Sequence, residues 1–121
     1  MVTVYGLSNC STCHKALAWL DGQGIAHRFI DYRETPVPEP VLRRQAEAIG
    51  WEKLVNRASY TWRGLEQARK TPADDSQWLA LVGEYPALIR RPLLVRADGS
   101  AVSGFSEKRW SETFERQVSG R

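Results

Sequence analysis

The sequence contains few cysteines and no long apolar segment. Only 2 of its 121 residues are cysteine, and a disulfide between positions 10 and 13 would close too small a loop to stabilise a secreted scaffold. No apolar run approaches the roughly 20 residues that a membrane span requires. The first residues also lack the basic and apolar regions of a signal peptide. We therefore expect a cytoplasmic protein with no membrane partner.

Neither sign of charge dominates the chain. Lys and Arg number 17 against 14 for Asp and Glu, which leaves a net charge of +3 without a dense basic block. This weak excess gives little support to direct nucleic-acid binding. The length suits one hydrophobic core, so we expect a single domain over residues 1–121.

The N-terminal pattern predicts a strand, a cysteine loop and a helix. The run Val2–Tyr5 favours a strand that ends at Gly6, and apolar residues recur at helical spacing from Cys13 onward. Residues 29–32 predict a second strand. One helix between two strands favours a parallel, right-handed βαβ unit, which would place the cysteines at the carboxyl end of the first strand.

The rest of the chain predicts helices, a hairpin and a last helix. Residues 35–40 contain three prolines and suggest an extended connector, and apolar spacing then predicts a helical insertion over about 41–84, with Thr71 or Asp74 capping one helix. Segments 92–96 and 101–103 flank an Asp-Gly turn and predict a hairpin. Ser106 is expected to open the last helix. Its inward-facing residues are expected to be Trp110, Phe114 and Val118. All five tryptophans are expected to pack in the core.

The cysteine pair carries the chemistry that the sequence suggests. Two cysteines separated by two residues, between a strand and a helix, can cycle between dithiol and disulfide. Cys10 would lie at the helix N-terminus, where backbone N–H groups and the helix dipole stabilise a thiolate, and His14 and Lys15 add positive potential. Cys13, one turn further, would be the resolving thiol.

Three other interpretations of the pair stay open at this point. The run Cys10–His14 matches the haem c attachment pattern, although that chemistry is normally completed outside the cytoplasm. A zinc site could use His14 and His27 as further ligands, although the second cysteine pair of common structural sites is missing. The cysteines could also simply pack in the core, because free cysteine is often buried without reacting.

Several arginines are candidates for anion binding. Arg91 precedes Pro92, and a cis bond there would place Arg91 beside the cysteines, whereas a trans bond at a sheet edge would leave it in solvent. Arg57 and Arg63 could also bind an anion or remain solvated.

The motifs of the chain resemble the arsenate reductase-like family of the thioredoxin superfamily, nearly end to end. The motifs are Val2-Thr3-Val4-Tyr5, Asn9-Cys10-Ser11-Thr12-Cys13 with Lys15-Ala16, and Arg90-Arg91-Pro92-Leu93-Leu94. Three more segments resemble the YffB-type branch, which is described as glutathione-dependent thiol reductases. These segments are Gly50–Arg57, Thr61–Leu65 and Ser103–Ser106.

The resemblance implies a fold, a function and site residues. It implies an α/β, thioredoxin-like fold: a mixed sheet of about four strands with flanking helices, a core over residues 1–35 and 86–118, and the insertion at about 41–84. Cys10 would be the nucleophile, and Arg91 the active-site arginine before a cis proline. The substrate-binding residues would be Asn9, Ser11, Thr12, Arg57 and Pro92. We expect no bound cofactor and no metal, with glutathione as co-substrate and glutathione or a protein thiol as partner.

Two alternatives come from the same resemblance. Arsenate reductases of this fold carry two further arginines, but the residues in line with them here are Asn56, next to Arg57, and Gly104, and Gly6 replaces a histidine before the cysteine loop. Arsenate reduction is therefore the first alternative. The second is a redox regulator of the Spx type, which has a similar cysteine pair and Arg-Arg-Pro segment and binds RNA polymerase.

Overall fold

The computed structural model describes the backbone of residues 1–119 and the side chains of residues 1–114. Four strands form one mixed sheet in the order β2-β1-β3-β4. Their bounds are β1 Val2–Gly6, β2 His27–Asp31, β3 Leu93–Val95 and β4 Ala101–Ser103. Strand β1 is parallel to β2 and antiparallel to β3, and β4 is antiparallel to β3. The parallel βαβ unit, the hairpin and the mixed sheet that we predicted are confirmed.

Six helices flank the sheet in the described part of the chain. They are α1 Ser11–Gly22, α2 Glu39–Ile49, α3 Trp51–Leu54, α4 Tyr60–Arg63, α5 Asp75–Glu84 and α6 Glu107–Ser119, with 3-10 turns at Gln67–Lys70 and Pro86–Leu88. The helices α2 to α5 form the predicted insertion between β2 and β3. Among the described residues, no helix combines the length and the apolar character needed to cross a bilayer.

Helix boundaries follow the capping residues. The side chain of Asp74 accepts a hydrogen bond from the Gln77 backbone, and Ser106 does the same for Arg109, so both predicted caps are confirmed. The extended connector was predicted too long, because α2 already begins at Glu39 and includes Pro40. Proline is accepted in the first turn, where its missing N–H would have no helical partner.

Two apolar clusters hold the sheet between its helices. One packs α1 and α6 on the sheet, with Val4, Leu20 and Trp110 each 0% exposed. The other joins the insertion to the cysteine end of the sheet. The five tryptophans all belong to these clusters, three buried and two at their margins: Trp51, Trp62 and Trp110 are buried, and Trp19 and Trp78 are half-buried. Phe114 also packs inward, whereas the side chain of Val118 lies outside the described residues.

Candidate active site

Cys10 is the N-cap of α1. It ends the loop from β1, has extended backbone angles (φ −98°, ψ 118°), and its Sγ accepts a hydrogen bond from the Cys13 backbone N–H at 3.3 Å. The first turn of a helix has unpaired N–H groups and the positive end of the helix dipole, which together favour negative charge. Cys10 is only half-buried. Its sulfur thus occupies a partly accessible position that favours a thiolate.

The surroundings of Cys10 favour its ionised form. Burial raises the pKa of Cys10, but hydrogen bonds from the Cys13 thiol and backbone N–H, together with the charge and hydrogen bond of Arg91, outweigh it. The net result is a pKa below the ordinary value of 9.0. This direction agrees with the expectation from the sequence.

Cys13 is the protonated partner of the pair. It is 0% exposed, one turn into α1. Burial, followed by the hydrogen bond with Cys10, raises the pKa of Cys13 to about 12. Its sulfur fills the space beside Gly6, where an added β-carbon would lie only 2.6 Å from it. The second cysteine and the missing side chain at position 6 therefore fit together.

Arg91 reaches the cysteine end of the sheet from β3. Because β3 is antiparallel to β1, the residues before β3 lie beside the carboxyl end of β1. The Arg91–Pro92 bond is cis, as the resemblance implies. Arg91 Nη1 donates to the Ala87 carbonyl at 3.0 Å and to the Tyr32 hydroxyl at 3.4 Å. These contacts hold the guanidinium where it favours the Cys10 thiolate.

Tyr32 belongs to this site, although the sequence pattern around it predicted only a strand. It directly follows β2, is 1% exposed, and donates its hydroxyl hydrogen to the Ile89 carbonyl at 3.0 Å. Burial raises the pKa of Tyr32, so the neutral hydroxyl can also accept the hydrogen bond from Arg91. Parallel strands end at the same edge of a sheet, and this rule points to Tyr32 as a neighbour of the cysteine loop.

Asp31 also belongs to the site and pins the cysteine loop. Its carboxylate accepts hydrogen bonds from the backbone N–H and hydroxyl of Ser8, both at 3.1 Å. It also accepts from the backbone and guanidinium of Arg33 at 2.8 to 3.1 Å. The hydrogen bonds from Arg33, the largest influence, hold the pKa of Asp31 well below its usual range. His14 Nε2 lies 2.6 Å from the Ser8 carbonyl and holds the loop from the other side.

The predicted substrate-binding residues divide into two groups. Asn9, Ser11 and Thr12 are exposed and lie next to Cys10 in the chain, and Pro92 is buried at the same end of the sheet. Arg57 is exposed in the insertion, and the structure shows no contact between it and the cysteines in the described part of the chain. Its segment is tied to the one before Arg91, because the backbone N–H of Asn56 donates to the Leu88 carbonyl at 2.8 Å. Arg63, the other arginine considered for an anion, lies over the Tyr60 ring.

The structure does not bring together the residues that a zinc site would need as ligands. His27 pairs with Val2 in the first rung of the parallel ladder, so it lies at the end of the sheet opposite to the cysteines. Its Nδ1 is 2.8 Å from the Ile25 carbonyl. Residues 1–114 contain no group of three or more His, Cys, Asp or Glu side chains arranged to hold a metal ion.

Comparison with known proteins places this geometry in a family. Residues 5–113 match the profile of the ArsC family. A Haemophilus influenzae protein, described as uncharacterized, is 40% identical over 114 residues, which cover 94% of this chain and 99% of that protein. The global transcriptional regulator Spx of Enterococcus faecalis is 30% identical over 115 residues, 88% of this chain and 81% of the regulator.

Solved structures agree with the sequence comparison. A YFFB protein superposes with a TM-score of 0.83 at 32% identity, covering 93% of this chain and 97% of its own. An arsenate reductase (ArsC) related protein from Brucella melitensis superposes with a TM-score of 0.71 at 34% identity, covering 93% of each chain. These neighbours confirm the predicted thioredoxin-like fold. Since the family profile spans nearly the whole sequence, the chain belongs to the ArsC family.

Proposed function

We propose that this protein is a thiol–disulfide oxidoreductase that uses glutathione as its electron donor. The observation that carries the proposal is the Cys10 sulfur, which caps α1, accepts the Cys13 N–H and has a lowered pKa beside Arg91. A thiolate is the reactive form in disulfide exchange, so these contacts prepare Cys10 as the nucleophile.

The proposed reaction begins with attack by the Cys10 thiolate on a mixed disulfide of glutathione and a substrate thiol. A bond forms between Cys10 and the glutathione sulfur, the original S–S bond breaks, and the substrate leaves as a thiolate that takes a proton from water. Arg91 stabilises the thiolate before attack and holds an anionic group of the substrate, and Arg57 is a second candidate for that contact.

Release of the bound glutathione needs a second thiol. Cys13 can attack the Cys10 sulfur: the Cys10–Cys13 disulfide forms, the bond between Cys10 and glutathione breaks, and the proton of the Cys13 thiol goes to the leaving glutathione thiolate. Two external thiols then reduce the Cys10–Cys13 disulfide and leave as their own disulfide. Alternatively, another glutathione attacks the adduct and leaves as glutathione disulfide. Burial raises the pKa of Cys13 in both the free protein and the adduct. The negative charge of Cys10 also raises the pKa of Cys13, and this second influence disappears when Cys10 is bound to glutathione. The two routes therefore compete.

The test is the turnover of the mixed disulfide of glutathione and 2-hydroxyethanethiol, with glutathione as the only reductant. Cys10→Ser is expected to fall to the uncatalysed rate. Cys13→Ser is the matched variant: it is expected to accumulate the Cys10–glutathione adduct, visible as a mass increase of one glutathione, if Cys13 resolves it. Full activity in Cys10→Ser would overturn the nucleophile assignment, and no turnover of any glutathione disulfide by the wild type would overturn the glutathione proposal.

A second candidate, arsenate reduction, is favoured by the arsenate reductase-related neighbour. Against it, Asn56 and Gly104 stand where the resemblance implies two further arginines, so an oxyanion beside Cys10 would have fewer cations to stabilise it. Arsenate in the same assay separates the two: glutathione-driven arsenate turnover that exceeds the disulfide turnover would make arsenate the substrate.

The third candidate is a redox regulator, favoured by the Spx relatives. A regulator needs no turnover, but it must change partner binding when Cys10 and Cys13 oxidise. A stoichiometric, oxidation-sensitive complex with RNA polymerase, in the absence of turnover, would select this function over the enzyme.

A further inference from the structure

A basic groove opens between the insertion and the edge strand β4. Its volume is about 470 Å³. The cationic side chains of its wall are Lys53, Arg90 and Arg109, and none of its lining residues is acidic. Its floor includes the hydrogen bond from the Gln45 side chain to the Ser103 hydroxyl at 3.1 Å. The groove therefore has a hydrogen-bonded pair of buried side chains in its lining and positive charge on its wall.

Backbone carbonyls hold the two arginines in place. Arg90 Nε donates to the Lys53 carbonyl at 2.9 Å, and Arg109 Nη2 donates to the carbonyls of Ser103 and Gly104. Gly104 lies between them, since a β-carbon there would be 3.7 Å from Arg109 Nη2 and 3.9 Å from Arg90 Cδ. Among the side chains described, no carboxylate forms an ion pair with any of the three cations. Their charge is thus not neutralised by the protein around them.

Strand pairing places the groove on the same end of the sheet as the cysteine loop. Tyr5 of β1 pairs with Leu93 of β3, which pairs with Ser103 of β4, and the Gly104 N–H donates to the Pro92 carbonyl. Adjacent strands are about 4.8 Å apart, so the end of β4 lies about 10 Å from the end of β1. About three extended residues span that distance.

We propose that this groove binds a carboxylate of a short acidic peptide whose sulfur reacts at Cys10. The inference rests on the proposed function and adds to it the place where a carboxylate of the peptide substrate binds. Guanidinium and ammonium groups bind carboxylates through charge-assisted hydrogen bonds. A peptide of about three residues that carries a sulfur and has a carboxylate on a terminal residue is comparable in length to the separation of the ends of β1 and β4. Glutathione has this chemistry.

The experiment measures the rate of disulfide exchange at Cys10 with two matched probes. Glutathione disulfide carries free carboxylates, and its ethyl ester has the same sulfurs with the carboxylates blocked. The ratio of the two rates is compared among the wild type, Lys53→Met and Arg90→Met. Lys53→Met keeps the backbone carbonyl that holds Arg90, so it tests the charge without removing that hydrogen bond. Lys108→Met and Arg28→Met are the matched controls, because both residues are exposed and lie outside the groove.

The acid-to-ester ratio is expected to fall about fivefold in each groove variant and to stay unchanged in the controls, and the preference of the wild type should shrink as salt is added. An unchanged ratio in both groove variants would overturn the groove inference while leaving the proposed function intact. An equal loss in the controls would show only general charge attraction and would also overturn it. If the Cys10 thiolate reacts with neither probe, nor with 2-hydroxyethyl disulfide, the proposed function fails and the groove inference falls with it.

Discussion

A methyl group at Gly6 would meet the sulfur of Cys13. The added β-carbon would lie 2.6 Å from Cys13 Sγ and 3.3 Å from Phe29 Cε1. Non-bonded heavy atoms prefer separations of about 3.5 to 4.0 Å, so the sulfur is about 1 Å too close. Such overpacking in a core typically costs about 1 to 3 kcal/mol. We expect Gly6→Ala to lower the free energy of unfolding by this amount.

The same substitution should be tolerated once the sulfur is gone. In a Cys13→Ala background, the nearest remaining atom of residue 13 is Cβ, at the ordinary distance of 3.6 Å. Alanine is also favoured over glycine inside a strand by about 0.5 to 1 kcal/mol. Gly6→Ala is therefore expected to be nearly neutral in that background. The double-mutant cycle should give a coupling energy of about 1 to 3 kcal/mol between the two positions.

Urea unfolding followed by tryptophan fluorescence measures the free energy of unfolding of the wild type, the two single variants and the double variant. Gly22→Ala is the matched control, because nothing lies within 4 Å of a β-carbon at the end of α1, and it should change stability equally in both backgrounds. A cost of Gly6→Ala that is the same with and without the Cys13 sulfur would refute the reasoning. The strain would then come from Phe29 or the backbone.

Two further predictions concern residues that hold the site. Tyr32→Phe removes the hydroxyl that contacts Arg91 and leaves the Ile89 carbonyl without its donor, so the free energy of unfolding is expected to fall by about 1 to 3 kcal/mol. The pKa of Cys10 is expected to rise, and the pH dependence of Cys10 alkylation measures this change. An unchanged pH profile would contradict the role of Tyr32. Asp31→Asn is expected to destabilise the protein at neutral pH. Because the folded state lowers the pKa of Asp31, its stabilisation is present above the ordinary value of 3.8 and is lost as pH falls below it, so the stability gap to the wild type should close in acid. A gap that persists in acid would show that its charge is not responsible.

Local sequence signals predicted most elements of the fold. The strand before Gly6, the helix after Cys10, the Asp-Gly hairpin turn and the Asp74 cap each depend on neighbours only a few residues away, and all four are confirmed. The start of α2 was misplaced, because a proline in a connector and a proline in a first helical turn look alike in a sequence.

The sequence predicted only those site residues that belong to a recognisable motif. The cysteine pair and Arg91 belong to recognisable segments. Tyr32 and Asp31 were not identified as site residues, because their role comes from the neighbours that β2 and β3 bring to one edge of the sheet. The groove of Lys53, Arg90 and Arg109 joins residues from three separate segments, and no local pattern marks it.

The sequence by itself determined that Cys10 precedes a helix and that Cys13 follows one turn later, since capping and helical spacing act over a few residues. Only the tertiary structure decided how differently the two thiols ionise. One sulfur accepts hydrogen bonds at the helix end beside Arg91, and the other is fully buried against Gly6. The physical reason is that burial and charge at a thiol depend on groups distant in the chain, which only the packed sheet brings within reach.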